Sequence, residues 1–106
     1  MATLAEAITL GRSGGLDDDQ LTDLLADSSV VAPGIRNHFQ TVLEASGPTW
    51  WTTELGAKDA RLATEEVETK GATRLRLGPV IRDVYQAAAD AGLSDDDIAF
   101  VARLYR

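Results

Sequence analysis

Cysteine is absent from the 106 residues, which removes both a disulfide framework and a thiolate metal site and fits a reducing compartment. Histidine is down to one, His38, too few for an imidazole-based metal centre. Basic residues are outnumbered: 10 Lys and Arg against 17 Asp and Glu leave a formal charge of -7, which opposes binding to nucleic acid or to an anionic membrane surface. No apolar run approaches the ~20 residues that span a bilayer. The N-terminus lacks the basic region, apolar core and cleavage site of a secretory signal, so a cytoplasmic chain is expected. A phosphate loop is missing as well. Gly11, Gly14 and Gly15 surround Arg12 and Ser13, but a dinucleotide loop needs a preceding strand and G-x-G-x-x-G spacing, so these glycines read as a helix stop. Alternation is equally scarce. Only Thr73 to Leu77 alternates, and a lone strand has nothing to pair with. The segment is expected to be an extended connector, with Leu75 and Leu77 pinned to the core and Arg74 and Arg76 in water.

What the chain does contain is helical periodicity. Its length gives room for one domain able to bury roughly 60 to 65% of its unfolded surface. Leu4 and Ile8 mark a short first helix, with Thr3 and Glu6 at capping-box spacing. A second helix follows from Leu16 to about Ser28, with Asp17 as N-cap, Gln20 three residues on, and Leu16 placed to staple onto Leu21. Asp17, Asp18 and Asp19 point in different directions on a helix and lack the alternating ligands of a calcium loop; favourable charge at the positive end of the helix dipole explains them. The same staple-and-box pattern returns at Leu93, Ser94, Asp97 and Ile98. Pro33 and Gly34 open a third helix carrying Ile35, Phe39, Val42 and Leu43, which Ser46-Gly47-Pro48 stops. His38 lies beside that stripe and reads as a partly exposed, hydrogen-bonding histidine.

A fourth helix runs from Thr52 to Lys70. Leu55 and Leu62 share one of its faces, and Lys58 with Asp59 interrupts that stripe. Two readings stand. Either the pair is solvated at the edge of the stripe, with Lys58 bridged to Glu54 one turn back, or it faces a cleft that needs charge. Just upstream, Trp50 and Trp51 are the only tryptophans. Adjacent residues on irregular backbone point apart, so one can enter the core while the other faces a partner or cleft. Gly78-Pro79 starts a fifth helix with Val80, Ile81, Val84, Tyr85 and Ala88 inward and Gly92 at its end. The last runs from Ser94 to about Leu104. About six helices and no convincing sheet make the expected fold all-α. The residues by themselves show no nucleophile with its base, no metal cluster and no nucleotide loop.

Four pieces carry a resemblance: Ala5-Glu6-Ala7 with Gly15-Leu16-Asp17; an aromatic, Trp51, eight residues before Asp59, with Lys58 beside it and Leu62-Ala63 after; Leu75-Arg76-Leu77; and Tyr85 with Ala91-Gly92-Leu93-Ser94-Asp95-Asp96-Asp97-Ile98. Over residues 2–101 the chain resembles the C-terminal helical domain of the β-hydroxyacid dehydrogenases, the 3-hydroxyisobutyrate dehydrogenase-like relatives of 6-phosphogluconate dehydrogenase. The resemblance implies a single helical domain over residues 1–106 that closes the cleft of an N-terminal Rossmann domain binding NAD or NADP, and that contributes to a dimer. It implies that Lys58 reaches the nicotinamide end of the cofactor, that Asp59 helps order the cleft, and that Trp51, where the family usually has phenylalanine, lines the substrate pocket. The family's glycine-rich loop and catalytic lysine belong upstream of Met1. Lys58 and Lys70, the only lysines, do not match that catalytic position. By this resemblance the chain alone is expected to have no catalytic residue and no dehydrogenase activity, and at best weak NAD(P) affinity. Its expected partner is a second copy of itself or a Rossmann domain in cis or in trans.

Overall fold

The computed structural model describes residues 1–71 and 74–106. Its elements are α1 (Ala2–Ser13), α2 (Asp18–Leu25), α3 (Pro33–Arg36), α4 (Phe39–Glu44), α5 (Thr53–Thr69) and α6 (Gly78–Ala88). A π-helical turn (Ala89–Leu93) and a 3-10 helix (Ile98–Tyr105) follow. The fold is all-α, and β-type pairing among the described residues is confined to one antiparallel bridge between Thr52 and Asp97. No helix among them is long and apolar enough to cross a membrane. The residues group into two compact units, Met1–Gly47 with Ala99–Arg106, and Pro48–Ile98.

In the first unit α1 buries Leu4, Ala5 and Ile8, the one-face spacing of an amphipathic helix. Its start differs from expectation. The helix begins at Ala2 with Met1 as N-cap and no side-chain cap, so Thr3 already has helical backbone and cannot adopt the extended N-cap geometry a capping box needs. Glu6 instead accepts a hydrogen bond from the Tyr105 hydroxyl at 3.2 Å. Of the three glycines expected to stop the helix, Gly11 lies inside it, because a Cβ there would collide with Leu21 Cδ2. The turn itself falls on Gly14 and Gly15, the latter at φ +91°, a conformation glycine adopts without steric cost. At the start of α2 the capping box forms as the sequence predicts, with Gln20 N–H donating to Asp17 Oδ1 (2.8 Å) and Asp17 N–H to Gln20 Oε1 (3.0 Å).

The expected third helix is two. α3 and α4 are separated at Asn37 and His38, where His38 has φ -108° and ψ 7°, and Phe39, Val42 and Leu43 on α4 are buried. Helix α4 ends on Ala45 in the left-handed conformation, φ 50°. Its last carbonyls are met by arginines: Leu43 O accepts from Arg12 Nη2 and Arg106 Nη2, each at 2.9 Å, and Ala45 O from Arg103 Nε and Nη2. Cations suit this end of a helix, where carbonyls lack intrahelical partners and the dipole is negative.

In the second unit α5 and α6 pack along one another. Tyr85 and Ala88 of α6 are buried, but Val80 and Ile81, expected inward, are 57% and 38% exposed. The apolar stripe of α6 is wider than the side that α5 covers. The connector is corrected similarly. Thr73 lies outside the described residues, Arg74 to Leu77 form no strand, and Leu75 and Leu77, expected in the core, are 38% and 72% exposed; the chain bends there and Leu77 already has the helical backbone of the α6 N-cap, so strand alternation does not apply.

Three outcomes are expected from these contacts. Leu21→Ala, at a side chain 1% exposed, should lower unfolding free energy by about 2–5 kcal/mol in urea titrations. Adding Gly11→Ala should recover roughly 1 kcal/mol of it through coupling between touching positions. Glu44 has its pKa held below the ordinary value by hydrogen bonds from the Gln40 amide and the Ser46 hydroxyl. Gln40→Ala should therefore move the Glu44 titration, followed by NMR, upward toward the ordinary glutamate range.

Candidate functional site

The start of α5 is built on donors that a helix cannot satisfy internally. Thr52 is the N-cap, and its hydroxyl accepts from Leu55 N–H at 3.2 Å. The next two amides are satisfied from far along the chain: Thr53 N–H donates to Asp96 O (2.9 Å) and Glu54 N–H to Ser94 O (3.1 Å). The Thr53 hydroxyl donates to both the Asp96 and the Asp97 carbonyl at 3.3 Å. In return Ile98 N–H donates to Trp51 O at 2.7 Å. The carboxyl group of Asp97, 1% exposed, accepts from the backbone N–H of Trp50 (2.7 Å) and Trp51 (3.3 Å) on the same oxygen. Ser94 and Asp97, expected to repeat a capping box, do not form one. Residues 94–96 turn and bend and Asp97 forms the bridge to Thr52, Ser94 Oγ donates to Ala89 O, and the helix after them starts at Ile98.

Farther along α5, the inward face is made of small residues, Thr53, Gly56, Ala57 and Thr64. They let neighbouring segments come close: a Cβ on Gly56 would collide with Ile98 Cδ1, and one on Gly78 would sit 2.9 Å from Thr64 Oγ1. Leu55 and Leu62 therefore do not form the buried stripe expected of them, and Leu62 is 49% exposed. Size decides the matter, because the face with least side chain is the one that Ile98 and Gly78 can approach most closely.

Lys58 consequently lies on a flank of the helix, where Glu54, Lys58 and Arg61 follow at i, i+4 and i+7. This flank forms one wall of a hollow of about 510 Å³; Gln86, Ala89, Asp90 and Ser94 form the other. Lys58 Nζ lies 3.7 Å from Asp59 Oδ1, both side chains about half exposed, and the contact it makes is with this neighbour and not with Glu54. A surface pair of this length contributes well under 1 kcal/mol, so the ammonium is held loosely. Arg61 is paired outward with both oxygens of Glu65, at 3.0 and 3.1 Å. Asp90 accepts from the Gln86 amide at 2.9 Å. The hollow thus presents two cations, two carboxylates, an amide and a hydroxyl. It can hold a small polar ligand through hydrogen bonds and charge. Among the described residues no group of three or more His, Cys, Asp or Glu is placed to hold a metal ion.

The predicted site residues are placed unequally. Lys58 lines the hollow; Asp59 is beside it, and neither Asp59 nor Trp51 is part of the lining. Trp51 is 39% exposed and Trp50 64%, with ring centroids 6.3 Å apart and planes inclined by 47°. Sequence reasoning missed Arg61 and Glu54, although their helical spacing from Lys58 was available. It also missed Gln86, Asp90 and Ser94, which only the packing of α6 brings near.

Fold and hollow together define an all-α chain with a charged, polar hollow. Residues 1–105 match the family described as NAD-binding of NADP-dependent 3-hydroxyisobutyrate dehydrogenase, and the chain belongs to that family. It is also similar to glyoxylate/succinic semialdehyde reductase 2, chloroplastic, of Arabidopsis thaliana, 28% identical over 101 residues. That match covers 95% of this chain and 28% of the relative, so the chain spans under a third of the length of the curated protein it matches.

The closure at Thr52 has a measurable cost when removed. Thr52→Ala deletes the acceptor for Leu55 N–H and should destabilise the chain by about 1 kcal/mol in chemical denaturation.

Proposed function

We propose that the chain is the helical C-terminal domain of an NAD(P)-dependent β-hydroxyacid dehydrogenase, or of an imine-reducing relative, and that the hollow beside Lys58 is its share of the cleft. The observation that carries this reading is the family match over residues 1–105 combined with the opening of Lys58 onto a polar hollow. In it Lys58 reaches the nicotinamide end of the cofactor, Asp59 steadies the ammonium, and Trp51 borders the substrate. The cations Lys58 and Arg61 suit a carboxylate. Glyoxylate and succinic semialdehyde, from which the Arabidopsis reductase takes its name, each join a carboxylate to an aldehyde, and a small acid of that kind is the substrate class proposed.

The cofactor supplies hydride transfer when bound; the residues here bind and orient. A hollow of 510 Å³ suits a small ligand or one end of a dinucleotide. The pyrophosphate finds no cradle at α5, because the amides of Thr53, Glu54 and Leu55 are already committed to protein oxygens, and anion binding at a helix start depends on free ones. The proposal therefore includes a Rossmann domain, in cis or in trans, that holds the phosphates, and a chain that is inactive and binds NAD or NADP weakly by itself. Titration of NADPH into the purified chain should show no saturation in the low-micromolar range. A low-micromolar Kd would overturn this part.

A second reading has an observation of its own. Leu77, Val80 and Ile81 are exposed within five residues of one unit, and Leu24 and Val30 (62% and 85%) in the other, and apolar side chains clustered in water favour a partner. In that reading the chain is a free-standing helical module derived from the same family that homodimerises or docks on another protein. Light scattering at tens of micromolar should show self-association; a monodisperse monomer would count against it.

A further inference from the structure

Asp97 is the one charged residue among the described residues whose surface is almost wholly buried, and the chemistry assigned to the hollow makes no use of it. Its carboxyl oxygen receives two consecutive backbone amides, those of Trp50 and Trp51, while its backbone pairs with Thr52 and accepts from the Thr53 hydroxyl. All of these contacts lie in the few residues that lead into α5, and that helix carries Glu54, Lys58 and Arg61 into the hollow. The other wall is tied to the same knot, since Ser94, itself a lining residue, accepts from Glu54 N–H.

A side chain that merely filled space here would be apolar. Two amides converging on one oxygen instead set the direction of the backbone at two successive residues, and hence where both indoles project. Trp50 is 64% and Trp51 39% exposed, with the rings 6.3 Å apart, and the backbone anchor sets where both indoles leave the chain.

We propose that Asp97 is a positioning residue for the candidate site: its buried carboxyl group fixes the Trp50–Trp51 backbone and, through it, the register of the first turn of α5 against the Ser94 wall. The assignment to a site rests on the proposed reading of the hollow; the positioning itself does not. Both tryptophans sit at the anchor, so it has a spectroscopic signature: two indoles this close and inclined by 47° couple and produce a paired positive and negative band in circular dichroism.

The test compares Asp97→Asn, whose amide oxygen still accepts, with Asp97→Ala and Asp97→Leu, which accept nothing, Leu keeping similar volume. Expected is a coupled band retained in D97N and mostly lost in D97A or D97L at unchanged helical signal. Exchange of the Glu54 amide, followed by NMR, should accelerate by about tenfold in the apolar variants, as for loss of a supporting hydrogen bond. Retention of the band and of Glu54 protection in the apolar variants overturns the proposal, as does their loss in D97N. If neither apolar variant folds while D97N does, Asp97 serves folding and not positioning, and the proposal falls. A third measurement separates the two readings: millimolar NADPH should shift the Lys58 amide resonance in the wild type and D97N and not in the folded apolar variant. A wild type that shows no shift removes the hollow as a cofactor site while the spectral comparison still decides the role of Asp97.

Discussion

The first turn of α5 cannot satisfy its own amide hydrogens, and it hands them to a loop more than forty residues downstream. Thr53 and Glu54 donate to the carbonyls of Asp96 and Ser94, and the buried carboxyl of Asp97 collects the two amides just before them. A buried amide without a partner costs on the order of 1–3 kcal/mol, so the loop and the helix start stabilise one another. Lys58 lies on the helix that begins at this exchange. The exchange also has a chemical consequence. A helix start whose donors are spent on protein oxygens does not offer them to a phosphate, so the hollow beside it presents side chains and not these amides.

A second constraint runs along the length of the helix. With Gly56, Ala57 and Thr64 on one face, α5 lets the Ile98 side chain and the Gly78 backbone come close, and dense packing of this kind gains dispersion over many atom pairs. Leu62 is left half exposed, Leu55 is half-buried at the hollow, and the flank beside them is free to carry charge. Lys58 is thus neither a core residue needing rescue nor an isolated surface lysine. It stands on the wall of a hollow whose opposite side is set by α6 and the π-helical turn after it.

Much of the fold was legible in the sequence because helix starts and stops are local chemistry. The Asp17–Gln20 box, the Pro33 start, the turn at Gly15 and the all-α class each depend on residues within one or two turns of each other. The misreadings share a cause. Thr3 with Glu6, and Ser94 with Asp97, have the spacing of a box, yet one pair already lies inside a helix and the other serves a distant segment. Spacing states what a pair could do if the helix began there; the partner that competes for the same atoms lies far away in the chain.

For the site the division is similar. The sequence by itself determined that Lys58 and Asp59 are adjacent charges on a long helix, that Glu54 and Arg61 share a flank with Lys58, and that two indoles precede them, since all this follows from helical periodicity. Only the tertiary structure decided which face of α5 is inward, that Gln86, Asp90 and Ser94 face Lys58 across a hollow, and that Asp97 holds the tryptophan backbone. Those outcomes depend on which segments pack closest and which carbonyls meet the open donors of a helix start, and neither is encoded within a few residues of the atoms concerned.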